Sequence, residues 1–255
     1  MKILVMVKQV PDTATRIRMA PDGASIATDG IKWVINPYDE FAIEEALQIR
    51  ERFQGEVVVI SVGPQRVEEA IRQTLAMGAD RGIHVKTDAG LDSYQAAAAL
   101  AAVARLETFD LILTGKQAVD DDAAQVGPLI SVFLEIPQVT VVLKLSINPD
   151  TQRLVAEREL EGAIEVVELP YPAVVTAQRG LNEPRYPTLP NIMKAKKKEV
   201  RVESLEALGI DTVPKVRVTA LSEPPTRPSA KILTGDPIEA AQQLVNLLHD
   251  EAKVL

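Results

Sequence analysis

The sequence contains no cysteine. That absence excludes disulfides, thiol nucleophiles, cysteine zinc sites and iron–sulfur ligation together. Histidine is nearly as scarce. Only His84 and His249 are present, and neither sits beside a serine or carboxylate motif that would build a triad. Aromatic residues make up 4% of the chain. No apolar run approaches the roughly 20 residues of a membrane span. Positive charge is in deficit, with 28 Lys and Arg against 36 Asp and Glu, giving a formal charge of −8. That balance argues against nucleic-acid binding by the general surface. Side-chain catalysis is poorly supplied. Any redox chemistry must use an organic cofactor.

What is present suits a folded globule. The 255 residues are 46% hydrophobic and 25% charged, enough for one large α/β domain or one domain with an appendage. Lys2–Lys8 (KILVMVK) reads as a buried parallel strand. Gln9–Ile35 carries Asp22-Gly23 and Asp29-Gly30 and reads as an excursion with a small hairpin. Asn36-Pro37 then opens a helix, with Asn36 suited to the N-cap, Pro37 to the first helical position, and Asp39 and Glu40 to the first turn. Strands at Glu56–Val62, Gly82–Val85 and Leu111–Thr114 alternate with helices at Val67–Ala76 and Ser93–Leu106. Such alternation implies βαβ units and a parallel sheet, a Rossmann-like nucleotide-binding arrangement. Gln138–Leu145, Arg153–Glu159 and Ala163–Leu169 read as antiparallel strands, and Ala173–Gln178 as one more strand. Beyond Val200 apolar residues thin and prolines recur (Pro214, Pro224, Pro225, Pro228). The expected division is therefore residues 1–199 as the α/β domain and 200–255 as an extended C-terminal arm that folds against a partner.

One stretch concentrates candidate chemistry: Leu111–Gly127, LILTGKQAVDDDAAQVG. A strand breaks at Gly115, and a loop leads into an apolar helical run at Val126. The first amides of a helix have no partner within it, so this corner can present N–H groups to an anion. Asp122 is the expected N-cap, aiming the amides of Ala124 and Gln125 outward. Asp120, Asp121 and Asp122 are odd company for a phosphate. An ordinary capped turn and a carboxylate metal site remain as alternatives. Because ligands in parallel sheets gather at carboxyl strand ends, the ends of Lys2–Lys8, Glu56–Val62 and Leu111–Thr114 are expected to share a crevice.

Five segments resemble one family. LNEPRYPTLPNIMKAKKK (Leu181–Lys198), VKQVPD (Val7–Asp12), NPYDEFAIEEA (Asn36–Ala46), TLAMGADRGIHV (Thr74–Val85) and GKQAVDDD (Gly115–Asp122) are similar to the electron-transfer flavoprotein β subunit. The resemblance implies a heterodimer with an α subunit that carries most of the FAD site. It also implies AMP in this chain, and an arm at 200–255 that wraps the α subunit. The dimer would pass electrons from acyl-CoA or other flavin dehydrogenases of fatty acid β-oxidation to a quinone oxidoreductase. Carried over by position, the AMP site would use Met6, Val62 and the helix start Asn36, Pro37, Tyr38 and Asp39. It would also use Gly115, Lys116, Gln117, Ala118, Val119, Asp120, Asp121 and Asp122. Backbone amides of Ala123, Ala124, Gln125 and Val126 would hold the phosphate.

A docking loop for the dehydrogenase would span residues 181–198. It would use Arg185, Tyr186, Pro187, Thr188, Leu189, Pro190, Asn191, Ile192, Met193 and Lys194, with Leu189 as apolar anchor and Lys194, Lys196, Lys197 and Lys198 as a basic rim. An electron-bifurcating relative, with a second FAD in the AMP position, is the alternative. That branch reads Asp-Gly-Asp-Thr where this chain has Asp121, and the bulkier residue favours AMP. With no targeting segment before Lys2, the expected compartment is the cytoplasm, or the mitochondrial matrix in a eukaryote. No direct membrane insertion and no metal are expected.

Overall fold

The computed structural model describes residues 1–211, 213–223, 225 and 229–255. Five of its strands form the parallel core: β1 (Lys2–Met6), β4 (Glu56–Gly63), β5 (Arg81–Lys86), β6 (Leu111–Gly115) and β10 (Ala173–Ala177). They are short and apolar on both faces, as strands covered by helices on two sides must be. Between β1 and β4, an antiparallel ribbon of β2 (Gln9–Pro11) and β3 (Trp33–Ile35) carries the excursion, with an isolated Met19–Ile26 bridge beyond it.

The crossovers are α1 (Pro37–Phe53), α2 (Val67–Met77) and α3 (Ser93–Arg105). After β6 the chain forms α4 (Val126–Leu134), β7 (Gln138–Asn148), β8 (Arg153–Leu160) and β9 (Ala163–Pro170). After β10 come α5 (Leu189–Ala195), β11 (Val200–Ser204) and α6 (Pro237–Asn246). One sheet of nine strands runs β11-β5-β4-β1-β6-β10-β7-β8-β9. β7 pairs parallel with β10 and antiparallel with β8, so the antiparallel hairpins extend the main sheet. Among the described residues no helix is long and apolar enough to cross a membrane.

Alternation along each strand sorts the core into two layers. Ile3, Val5, Val57 and Val59 pack with Ile43, Leu47, Ile71 and Leu75 of α1 and α2. Leu4, Met6, Val58 and Ile60 pack with Leu100, Val103 and Ile130 of α3 and α4. His84 is a buried strand residue whose Nε2 lies 3.0 Å from the Gly63 carbonyl.

The sheet continues past Glu199. β11 pairs in parallel with β5, and Leu205 is buried in the second layer. Beyond it the chain turns through Glu206–Gly209, with Leu208 and Ile210 packed against the same layer, and the described residues from there to α6 form neither helix nor strand. The Val216 amide donates to Asp92 (2.9 Å) and the Leu221 amide to the Gly23 carbonyl (2.8 Å). α6 is capped by Asp236, which accepts from the amides of Ile238 and Glu239, yet it buries none of its residues. Pro224 and Pro228, part of the proline signal for the arm, lie outside the described residues together with Thr212, Thr226 and Arg227.

At the end of the sheet opposite the carboxyl ends of the parallel strands, Glu107 gathers cations from three strands. Its carboxylate meets Lys2 of β1 (2.6 Å), Arg81 of β5 (2.7 Å) and Arg201 of β11 (3.1 Å). Burial works to raise its pKa, but Arg81 and Lys2 outweigh that and hold it at about 2. The folded form therefore binds this proton less readily than the unfolded chain. The stabilisation is complete above about pH 4.5 and is lost as pH falls toward 2. Glu107→Gln should remove about 2 kcal/mol at pH 7 and flatten the acid limb of stability between pH 5 and 2, since the cations are partly solvated. Urea unfolding across that range checks it. An unchanged acid limb would mean that the cluster contributes nothing.

Candidate functional site

A cavity of about 310 Å³ opens above the carboxyl ends of β1, β4 and β6. The strand order β5-β4-β1-β6 reverses direction at β1, so neighbouring crossovers leave on opposite faces and a crevice remains between them. This is the shared crevice expected from the sequence. Its size falls at the lower end of the range for small-molecule sites.

The floor is a buried polar network. Asp39 accepts from the Lys8 amide (2.7 Å), the Asn36 side-chain amide (3.0 Å) and the Gly115 amide (3.0 Å). One carboxylate thereby ties the end of β1, the start of α1 and the end of β6. Burial pushes its pKa up to about 7, against the pull of those donors. Asn36 flanks the first turn of α1 and makes no side-chain cap bond to it. Instead it donates to the Gln117 carbonyl (2.9 Å) and accepts from the Val119 amide (3.1 Å). The side chain that the sequence marks as a cap thus holds the β6–α4 loop from beneath.

Two glycines let the backbones approach. A β-carbon on Gly115 would lie 2.4 Å from Asp39 Oδ1 and 2.7 Å from Tyr38. One on Gly127 would lie 2.8 Å from Thr176 and 3.0 Å from Thr114. The first turn of α4 is therefore seated directly on the ends of β6 and β10.

Asp122 is not the N-cap of α4. That position belongs to Gln125, and the Asp122 carboxylate instead accepts from Gln117 Nε2 at 2.6 Å. The reason lies in the backbone, which turns left-handed at both Asp122 (φ 49°) and Ala124 (φ 52°) before α4 begins. A left-handed residue followed by right-handed Gln125 (φ −104°, ψ −32°) turns successive N–H groups to one side, an anion-binding concavity. Val126 and Gly127 then supply amides with no partner inside the helix. Non-glycine residues with positive φ cost free energy, and two within three positions turn the chain sharply into α4.

Two of the three aspartates, Asp120 and Asp121, line the cleft, and Asp122 turns away from it. Lys8 Nζ sits 2.7 Å from Asp120 and 2.9 Å from Asp121, and Asp121 also accepts from the Ala123 amide at 3.1 Å. One ammonium and one neutral side-chain amide hold the three carboxylates in place, and because Asp121 takes the Ala123 amide, the corner amides left to face an anion are those of Ala124–Gly127 and not that of Ala123. The other side of the cleft carries an aliphatic patch of Val62, Leu91, Ala96 and Leu100, with Arg66, Asp92 and Ser93 beside it. Anion-binding amides facing an aliphatic patch suit a nucleoside monophosphate, with phosphate at the corner and base against the aliphatic residues.

Of the residues expected at this site, Met6, Asn36, Asp39, Val62, Gly115, Lys116, Gln117 and Ala118 line the cleft, as do Asp120, Asp121, Ala123, Ala124, Gln125 and Val126. Pro37, Tyr38, Val119 and Asp122 lie outside its lining. Tyr38 packs behind Gly115, with the Lys116 ammonium 5.0 Å from its ring. Sequence reasoning passed over Lys8, Arg66 and the segment Ala89–Ser93, all of which line the cleft. The carboxyl-end rule covers Ala89–Ser93, because this segment follows β5.

The docking stretch also departs from a plain loop. Leu189–Ala195 is a short helix, with Thr188 before it and Pro190 in its first turn. Tyr186 is 92% exposed and Leu189 79%; Thr188, Pro190, Met193 and Lys194 are exposed as well, while Pro187 and Asn191 are half-buried. Lys198 is not part of a free basic rim. Its ammonium bonds to the carbonyls of Leu75 (3.1 Å) and Ala79, where α2 ends.

Comparison with known proteins adds a second line of argument. Residues 24–208 match the electron transfer flavoprotein domain. The chain is 43% identical to the human electron transfer flavoprotein subunit beta over 259 residues, covering 100% of this chain and 99% of that protein. It is 40% identical to the corresponding subunit of Bacillus subtilis over 261 residues, covering 100% of both. The mitochondrial subunit of Arabidopsis thaliana is 40% identical over 256 residues, again covering 100% of both.

Proposed function

The chain belongs to the electron transfer flavoprotein family as a β subunit, an electron carrier component and not a classical enzyme, and from that premise we propose that it holds AMP in the cleft above β1, β4 and β6. It pairs with an α subunit that carries FAD. Bound there, FAD supplies the one- and two-electron chemistry, and the residues of this chain bind, orient and dock. The heterodimer takes electrons from acyl-CoA or related flavin dehydrogenases and delivers them toward a quinone oxidoreductase.

The observation that carries the nucleotide assignment is the corner Ala124–Gly127. Its left-handed turn and unpaired helix amides face an aliphatic patch across a cavity of about 310 Å³. Asp121 favours AMP over a second FAD, because its carboxylate is fixed at 2.9 Å from Lys8 on the cleft wall. A flavin extending past the phosphate would need that space. The exposed segment Tyr186–Met193 supports the docking role, and α6 with no buried residue supports an arm that packs on the α subunit.

Denaturing the purified heterodimer and separating the released nucleotides tests the assignment. One AMP and one FAD per dimer is the expected result. Two FAD and no AMP would place the protein among the bifurcating flavoproteins.

A further inference from the structure

The segment 181–198 is fastened at both ends and free in the middle. At its start, Asn182 donates to the Phe41 carbonyl and to Glu45, each at 3.0 Å. Arg185 then forms a fork on Glu44 of α1, with Nε 2.8 Å from Oε2 and a terminal nitrogen 2.9 Å from Oε1. The Arg185 backbone amide bonds the same carboxylate at 3.1 Å, and its guanidinium also reaches Glu51 two turns further along α1.

At the other end, Arg72 of α2 donates to the carbonyls of Ala195 (3.0 Å) and Lys198 (2.7 Å), while Glu68 orients its guanidinium. Ala195 is buried in the core. Glu44 is 3% exposed, so it cannot touch a protein partner. Burial works to raise its pKa, but Arg185 outweighs that and draws it below the usual carboxylate range.

We propose that Arg185 is a positioning residue and not a docking contact: held by Glu44 and Glu51, and matched at the far end by Arg72, it presents Tyr186–Met193 to the dehydrogenase already ordered. A long arginine turned inward onto two carboxylates has few donors left for a partner. A segment held at both ends loses less freedom when it docks, which raises affinity without adding a contact. Pro184, Pro187 and Pro190 restrict the span between the anchors in the same sense. This inference rests on the docking reading given above.

The test uses the intact heterodimer carrying Glu44→Gln, Arg185→Ala, or both. Amide exchange within 186–193 and the affinity for an acyl-CoA dehydrogenase are measured for each. Each single variant should speed exchange in that segment and weaken docking by about tenfold. The double variant should be no worse than the poorer single, because both remove one clamp. Arg185→Lys, which keeps the charge without the fork, should give an intermediate effect, and it serves if Glu44→Gln fails to fold. Unchanged exchange in the variants overturns the proposal. So does weaker docking in Arg185→Ala alone, because that would make Arg185 a contact. Faster exchange with docking intact in the Leu189→Ala variant would leave the clamp standing and remove the docking role.

Discussion

Gly115→Ala is expected to destabilise the fold by about 3 kcal/mol and to leave the heterodimer without AMP. The new β-carbon would stand 2.4 Å from Asp39 Oδ1 and 2.7 Å from the Tyr38 backbone, well inside contact distance. Neither neighbour can retreat freely. Asp39 is fixed by the amides of Lys8, Gly115 and Asn36, and Tyr38 lies in the first turn of α1. If β6 moves away, the Gly115 amide loses Asp39 and a buried carboxyl loses a donor. The loop held by Asn36 through Gln117 and Val119 then shifts with it, carrying the anion corner out of register. Urea unfolding and a count of released nucleotide check the two halves separately. A variant with the parent midpoint and a full complement of AMP would show that this backbone contact yields easily. Normal stability without AMP would place the effect on the loop alone.

Leu189→Ala is expected to weaken docking to the dehydrogenase by roughly thirtyfold, about 2 kcal/mol, with folding and nucleotide content unchanged. Leu189 is 79% exposed at the start of α5, beside Tyr186 and Met193, so its removal opens no cavity in this chain. On the proposed docking reading, its contribution is an apolar contact made only with the partner. Neutralising Lys194 and Lys197 should act differently, slowing association at low salt and losing that effect as salt rises. Transfer rates against ionic strength separate the two classes. Loss of flavin or of fold in Leu189→Ala would mean that the leucine supports the structure, and the docking role would fall.

Local patterning fixes much of this molecule. Short runs of β-branched and aliphatic residues, each followed by a helical period, determine the alternating βαβ order, because those signals act within a few neighbouring residues. The same holds for Asn36-Pro37 at the start of α1 and for the hairpin turn at Asp22-Gly23. That Asn148-Pro149-Asp150 joins two antiparallel strands is likewise local. The candidate corner at Gly115–Val126 is legible as a strand, a glycine and a helix start, and the segment resemblances supply the family.

What the sequence leaves open is which side chains face the ligand and which hold the frame. Asn36 and Asp39 read as site residues, and their hydrogen-bonding capacity is directed into the loop and strand ends. Asp122 reads as a cap, and two left-handed residues put Gln125 in that position instead. Arg185 reads as a docking contact, and it turns inward onto Glu44, 141 positions away in sequence. Gly115 meets Asp39 across 76 positions. Contacts at such separations leave no periodic trace, because each partner satisfies its own local pattern regardless of the other. β11 shows the same limit in the backbone, where a five-residue run after the lysines joins the sheet only because the edge of β5 is free to receive it. Periodicity within a few residues sets the elements. The hydrogen bonds that decide the purpose of each polar side chain form only when distant elements are brought together.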